Sequence, residues 1–195
     1  MKGPVIDPEF LIKAYCTGYF PMADSADGAI SWYSPDPRAV FELDRFRIPR
    51  SLSLTLKKTP FELRVDTQFE QVMRSCAARK ETWISEEIIQ SYALLRSMGF
   101  AHSVECWRGS ELVGGLYGVA IRGAFFGESM FSLARDASKV ALVALMDRLR
   151  ERGYALVDTQ FLTPHLARFG AREITRADYL IRLSEALTKE CVFVP

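Results

Sequence analysis

AHSVECWRGSELVGGLYGVAIRGAFFGESMF, residues 101–131, is the stretch whose reading decides the fold. From His102 to Trp107 polar and apolar side chains alternate with the period of two that a strand imposes. Arg108-Gly109-Ser110 reads as a turn, Leu112 to Ala120 as a returning strand, and Ala124 to Phe131 as a third antiparallel strand. Short connections between successive strands predict a meander. The longest apolar run, Leu112 to Ile121, is interrupted by Gly114, Gly115 and Gly118 and falls far short of the ~18 residues a membrane span needs. It reads as a buried strand.

Helical signals flank the meander. Upstream, Thr67 and Glu70 form a capping-box pattern for a helix to about Arg79. Ser85 caps a second helix, in which Glu86 and Glu87 sit in the positive first turn, Ile88, Tyr92 and Leu95 share a face, and Gly99 ends the element. Downstream, Asp136 is positioned to cap a long helix that turns Val140, Ala144 and Leu145 to the core and ends in Arg148, Arg150 and Arg152 before Gly153. A strand from Ala155 to Phe161, one turn opened by Thr163-Pro164, and a last helix to about Glu190 capped by Thr175 complete this region. At the other end, Asp7 and Pro8 open a short helix closed by Gly18, and Tyr19 to Arg50, with five Pro or Gly residues among aromatics, reads as irregular packed loops. The expected division is a small loop-rich N-terminal domain, 1–48, and a larger domain, 49–195. The order of elements predicts an α+β fold with a mixed, mainly antiparallel sheet, and it resembles the acyltransferase fold called GNAT.

Composition narrows the function. The chain has 195 residues, 49% hydrophobic and 25% charged, enough to build a sizeable core and too apolar for intrinsic disorder. The formal charge is only +1, so a polyanion partner has to be held by a local basic patch. The four cysteines form no C-x-x-C pair, Asn is absent, and the two histidines are far apart, which argues against zinc motifs, N-glycosylation and a Cys-His-Asn triad. With no phosphate loop, no G-x-G-x-x-G and no H-E-x-x-H, neither a cofactor nor a metal is expected. No signal-like stretch opens the chain and no segment is long enough to span a membrane, so a cytoplasmic protein is expected.

Several residues stand out chemically. In the strand 155–161, Leu156, Asp158 and Gln160 share one face, so two polar side chains project from a buried-looking element. They either satisfy nearby backbone or form a paired proton and positioning site. Glu128 shares a face with Phe126 and Met130, and a carboxylate among such neighbours serves either a structural ion pair or a substrate ammonium. Gly127 beside it suggests close backbone approach. Arg45, Arg47, Arg50, Lys57 and Lys58 form a local basic excess, which is either a solvated face or a surface that neutralises phosphates. Between the third meander strand and the long helix, Ser132-Leu133-Ala134-Arg135-Asp136-Ala137-Ser138 lacks the glycines expected where a CoA-dependent acyltransferase cradles pyrophosphate.

Ser34-Pro35-Asp36-Pro37-Arg38 and Gly127-Glu128-Ser129-Met130-Phe131-Ser132, in this order, resemble the bacterial leucyl/phenylalanyl-tRNA-protein transferases. Gly18-Tyr19-Phe20-Pro21, Thr82-Trp83-Ile84, Asp158-Thr159-Gln160 and Leu166-Ala167-Arg168-Phe169-Gly170-Ala171 extend the likeness. Met22 stands where many members carry Trp, and Leu116 where Met is common. The resemblance implies transfer of Leu or Phe, and less readily Met, from aminoacyl-tRNA to the α-amino group of proteins beginning with Arg or Lys, marking them for degradation. It implies a GNAT-like catalytic domain that uses tRNA in place of CoA. The implied catalytic residues are Asp158, Gln160 and Glu128. Leu116, Phe125, Met130, Leu145 and Val157 would form the aminoacyl side-chain pocket. Trp83 and Tyr92 would contact the terminal adenosine, while Arg45, Arg47, Arg50, Lys57 and Lys58 would hold the acceptor arm. The alternatives are a non-catalytic tRNA- or peptide-binding module and a CoA-dependent N-acyltransferase.

Overall fold

The computed structural model describes residues 5–26, 28–58 and 61–194. Its centre is the meander read from the sequence: β5 (Ala101–Arg108), β6 (Glu111–Ile121) and β7 (Ala124–Ser132), paired antiparallel in succession. They belong to a seven-stranded sheet of order β4-β5-β6-β7-β8-β3-β9, where β3 is Arg38–Phe41, β4 Glu62–Val65, β8 Leu156–Gln160 and β9 Arg172–Ile174. The β7–β8 pair is parallel and every other pair in this sheet is antiparallel. A parallel neighbour requires a crossover, supplied by the long helix α5 (Ala137–Glu151). The fold is therefore α+β with a mixed, mainly antiparallel sheet, in the order meander, long helix and parallel return.

Alternation along the strands sorts the core into two layers. Tyr117, Val119, Phe126 and Leu156 face α1 (Pro8–Cys16), α3 (Phe69–Ala77), α4 (Glu86–Ser97) and α7 (Arg176–Ala186). Leu116, Phe125 and Val157, one residue out of phase, face α5 and α2 (Arg50–Lys58). Because both sheet faces are covered, the polar side of β5 is buried as well. Glu105, fully buried, is satisfied by Ser103 Oγ, the Gln68 N–H, Trp107 Nε1 and the Thr67 hydroxyl.

Three local readings are revised. The capping box at Thr67 does not form: Gln68 is the N-cap of α3 and the Thr67 hydroxyl goes to Glu105, because a buried carboxylate is costlier to leave unpaired than an exposed helix end. Asp136 flanks α5 in the left-handed region, φ 66°, without capping it, since its carboxylate binds Lys139 and Thr55 instead. Residues 38–41, expected among loops, form a strand inserted between β8 and β9. The preceding β1 (Phe20–Ala23) and β2 (Ile30–Tyr33) make a separate two-stranded sheet. Ser85, Thr175 and Asp7 cap α4, α7 and α1 as read, and Gly18 and Gly99 follow α1 and α4 with positive φ.

Candidate active site

The site begins where β7 and β8 part. Their parallel register runs Ala124 with Leu156, Phe125 with Val157, and Phe126 with Asp158, and stops there. Two irregularities sit at that point. On β7, Tyr117 pairs with Ser129 and Gly118 with Gly127, so Glu128 is the extra residue of a bulge. Gly118 permits it: a Cβ there would lie 2.3 Å from the Phe126 carbonyl oxygen. On β8, Ala39 pairs with Gln160 and Val40 with Asp158, leaving Thr159 unpaired. Gln160 consequently adopts φ +58°, a conformation that L residues avoid unless neighbours hold it. Between the diverging strand ends opens a cavity of about 270 Å³, lined by Glu128 on one side and Thr159 and Gln160 on the other.

Asp158 is the residue that holds Gln160 in place. Its Oδ1 accepts the Gln160 backbone N–H at 2.9 Å and Arg38 Nε at 2.9 Å, while Oδ2 accepts Arg38 Nη2 at 2.6 Å and the Tyr179 hydroxyl at 2.8 Å. Arg38 is itself buried, packed over the Phe20 and Tyr179 rings, and donates to the Gly18 carbonyl. Burial works against the guanidinium charge, yet Asp158 outweighs it and the net shift of the Arg38 pKa is upward. With 0% of its surface exposed, Asp158 does not reach the cavity, so it positions the neighbouring amide from beneath.

Glu128 does reach the cavity. Its Oε1 accepts the Tyr15 hydroxyl at 2.7 Å and Gln160 Nε2 at 3.4 Å; its Oε2 is buried with no hydrogen-bond partner among the described residues. Behind it, the Tyr15 and Tyr92 hydroxyls bond to each other. Burial is the largest influence on the Glu128 carboxyl; the Tyr15 hydrogen bond opposes it and the Asp158 charge reinforces it, and the pKa is pushed up to about 8. Glu128 thus borders the cavity as a carboxyl with one unpartnered oxygen, and a cationic group brought against it would favour its ionised form.

Of the expected side-chain pocket, Leu116, Met130, Leu145 and Val157 line the cavity. Phe125 does not: it is fully buried, level with Val157 on the neighbouring strand, its ring stacked on Phe193. Phe41 and Leu142, which the sequence reading did not single out, add to the apolar wall, as do Phe20, Phe161 and Leu166. Trp83, half-buried, lines the cavity together with Met22. Tyr92 is corrected: at 0% exposure, with its hydroxyl on Tyr15, it cannot contact an adenosine and instead backs Glu128. Arg45, Arg47, Arg50, Lys57 and Lys58 are all exposed, on the short 3-10 turn after β3, the loop that follows it, and α2. Arg45 is engaged with Glu42 at 3.2 Å.

Tyr15, Arg38 and Tyr179 are the site residues that sequence reading left without a role. Arg38 carried a signal, as the last residue of the Pro-Asp-Pro-Arg motif, but nothing local tied it to Asp158, 120 residues away. Tyr15 sits 113 residues from Glu128 on an amphipathic helix where an aromatic reads as core.

The first part of the chain, residues 5–36, matches the model of the leucyl/phenylalanyl-tRNA protein transferase N-terminal domain, and residues 40–184 match that of leucyl/phenylalanyl-tRNA protein transferase. A leucyl/phenylalanyl-tRNA–protein transferase of Herpetosiphon aurantiacus is 54% identical over 96% of this chain and 98% of its own length. One of Gloeobacter violaceus is 53% identical over 96% and 97%. The chain also superposes on the structure of L-PGS from Bacillus licheniformis with a TM-score of 0.43 and 17% identity, over 82% of this chain and 55% of that one, a likeness too distant to carry an argument. Two matched domain models that together span most of the chain, and relatives above half identity over nearly their whole length, establish that it belongs to the leucyl/phenylalanyl-tRNA–protein transferase family.

Proposed function

We propose that the chain transfers Leu or Phe, and less readily Met, from aminoacyl-tRNA to the α-amino group of proteins that begin with Arg or Lys, marking them for degradation. The observation that carries this reading is the apolar cavity that both Glu128 and Gln160 line. The aminoacyl side chain lies against Leu116, Met130, Leu142, Leu145 and Val157; its own amino group meets Glu128. This leaves the ester carbonyl beside Gln160.

An aminoacyl ester is already activated. The incoming α-amine, with an unperturbed pKa of ~7.7 to 8.0, is neutral in useful fraction near neutral pH. Its lone pair attacks the ester carbonyl, the C–N bond forms, and the C–O bond to the ribose breaks. The ribose oxygen leaves with the proton that the amine gives up. An amide is too weak a base to take that proton, so Gln160 orients the amine and the ester, and the chemistry gains chiefly from proximity. Asp158, sequestered with Arg38 and Tyr179, fixes the strained backbone from which Gln160 projects.

The test is transfer of labelled Leu from charged tRNA to a peptide beginning with Arg, run beside acetyl-CoA as donor. Transfer from the charged tRNA and none from acetyl-CoA is the expected result. Acetyl transfer, or donor binding without turnover, would replace the reading with one of the other two classes. Peptides beginning with Lys or with an acidic residue test the acceptor preference in the same assay.

A further inference from the structure

Beside the apolar cavity lies a second, polar one of about 460 Å³. Ser51 of α2, Ser132 at the end of β7, Arg135, Ser138 and Lys139 around the start of α5, and His165 of α6 (Pro164–Ala167) line it. Met130 and His165 belong to the walls of both cavities, which therefore adjoin. Asp136 also borders the space, but its carboxylate is occupied: Lys139 Nζ lies at 2.6 Å, Thr55 Oγ1 at 3.3 Å and Arg135 Nε at 3.8 Å. The Lys139 hydrogen bond, against a smaller effect of burial, holds this carboxyl below its usual range. Two cations against one acid leave the lining positive.

His165 borders the same space. Its Nε2 is buried and has no hydrogen-bond partner among the described residues. Burial, then the charges of Lys139 and Arg168, lower its pKa from 6.5, so the imidazole is neutral near pH 7 within a positive field. The helix end adds little here. The Ala137 N–H already goes to the Ala134 carbonyl and the Ser138 N–H to Ser132 Oγ, so the cavity acts through its side chains.

We propose that this cavity holds a phosphodiester of the single-stranded 3′ end of aminoacyl-tRNA, with Arg135 and Lys139 as its cations and the His165 imidazole beside them. The inference rests on the function proposed above, and it extends the path of the nucleic acid. The acceptor arm lies across Arg50, Lys57 and Lys58 of α2, the single-stranded end passes Ser51 into the polar cavity, and the aminoacyl group enters the adjoining apolar one. Where a CoA-dependent enzyme would present backbone N–H groups of a glycine-rich turn, this chain presents charged side chains on a glycine-free one.

Three donors of increasing length test it: aminoacyl-adenosine, which has no phosphate; an aminoacyl-trinucleotide ending in CCA; and whole aminoacyl-tRNA. The double variant Arg135→Ala/Lys139→Ala should raise the KM for the trinucleotide about tenfold and flatten its log–log salt dependence by about 1.4, at about 0.7 per contact on a single strand. Its kinetics with aminoacyl-adenosine should match those of the unaltered chain. Arg135→Glu is a second probe that leaves the fold alone, because that side chain is 95% exposed; it should weaken use of the trinucleotide further and spare the adenosine donor. Lys57→Ala/Lys58→Ala should affect whole tRNA only. Equal responses of trinucleotide and adenosine donors, or no response of either, would overturn the proposal. If the unaltered chain transfers from none of the three, the function reading itself fails and the phosphate site with it.

Discussion

Replacing Glu128 by Gln separates the charge of this residue from its shape, and the structure sets the magnitude. In the folded chain its carboxyl is pushed from 4.5 to about 8, chiefly by burial, whereas the unfolded chain titrates it near the ordinary value. Between those two pH values the folded state holds a proton that the unfolded state has released. Stability from this group is therefore complete below about pH 4.5, declines as pH rises, and is lost once pH passes the folded value near 8. A shift from 4.5 to about 8 corresponds to roughly 5 kcal/mol, a large part of a typical domain stability of about 5–15 kcal/mol. Gln fills the same space, keeps an acceptor for Tyr15, and does not titrate. Urea unfolding of both proteins from about pH 5.5 to about pH 8.5 should show the Glu128→Gln variant gaining several kcal/mol relative to the unaltered chain as pH rises. In thermal melts the gap should widen by about 2–4 °C per kcal/mol. A stability difference that stays constant across this range would refute the reasoning: the carboxyl would then be ionised throughout, with its hydrogen bonds from Tyr15 and Gln160 outweighing burial.

Arg38→Met should cost roughly 3–5 kcal/mol in urea unfolding because it strands the Asp158 carboxylate, and the double variant Arg38→Met/Asp158→Asn should recover part of that loss; strictly additive losses would mean that the pair is not coupled. Trp83→Ala should raise the KM for aminoacyl-adenosine with kcat little changed, by the factor that about 1–3 kcal/mol of base stacking represents, and Trp83→Phe should restore most of it; an equal fall in stability without a KM effect would make Trp83 a packing residue. Lys57→Ala/Lys58→Ala should raise the KM for aminoacyl-tRNA and flatten its salt dependence; loss of activity with the adenosine donor as well would mean that these lysines act through the fold of α2.

Local chemistry in the sequence determined most of the elements. Period two, broken at Gly109 and Gly123, defines the meander, and Asp7, Ser85 and Thr175 cap their helices because their side chains need only their own chain's next turn. The same period sorts Leu116 and Val157 onto one sheet face and Tyr117 and Leu156 onto the other, while the choice of Leu116, Met130, Leu145 and Val157 as cavity residues came from resemblance. Resemblance pointed to Glu128, Asp158 and Gln160, and alternation alone could not distinguish their jobs. That distinction came from register. Single-residue bulges at Glu128 and Thr159 turn Glu128 and Gln160 toward the cavity, while Asp158, on the regular part of β8, stays buried under Arg38. A bulge depends on two strands at once, so neither strand announces it. Burial likewise overrode local preference: Thr67 left its helix to satisfy Glu105, and Tyr92 became the support of Tyr15. Four residues, 38–41, are too few to show a period, and they became a strand because β8 had an unpaired edge to fill. Tertiary structure decided these points because a buried polar group must find a partner anywhere in space, whereas a cap or a period is complete within a few residues of itself.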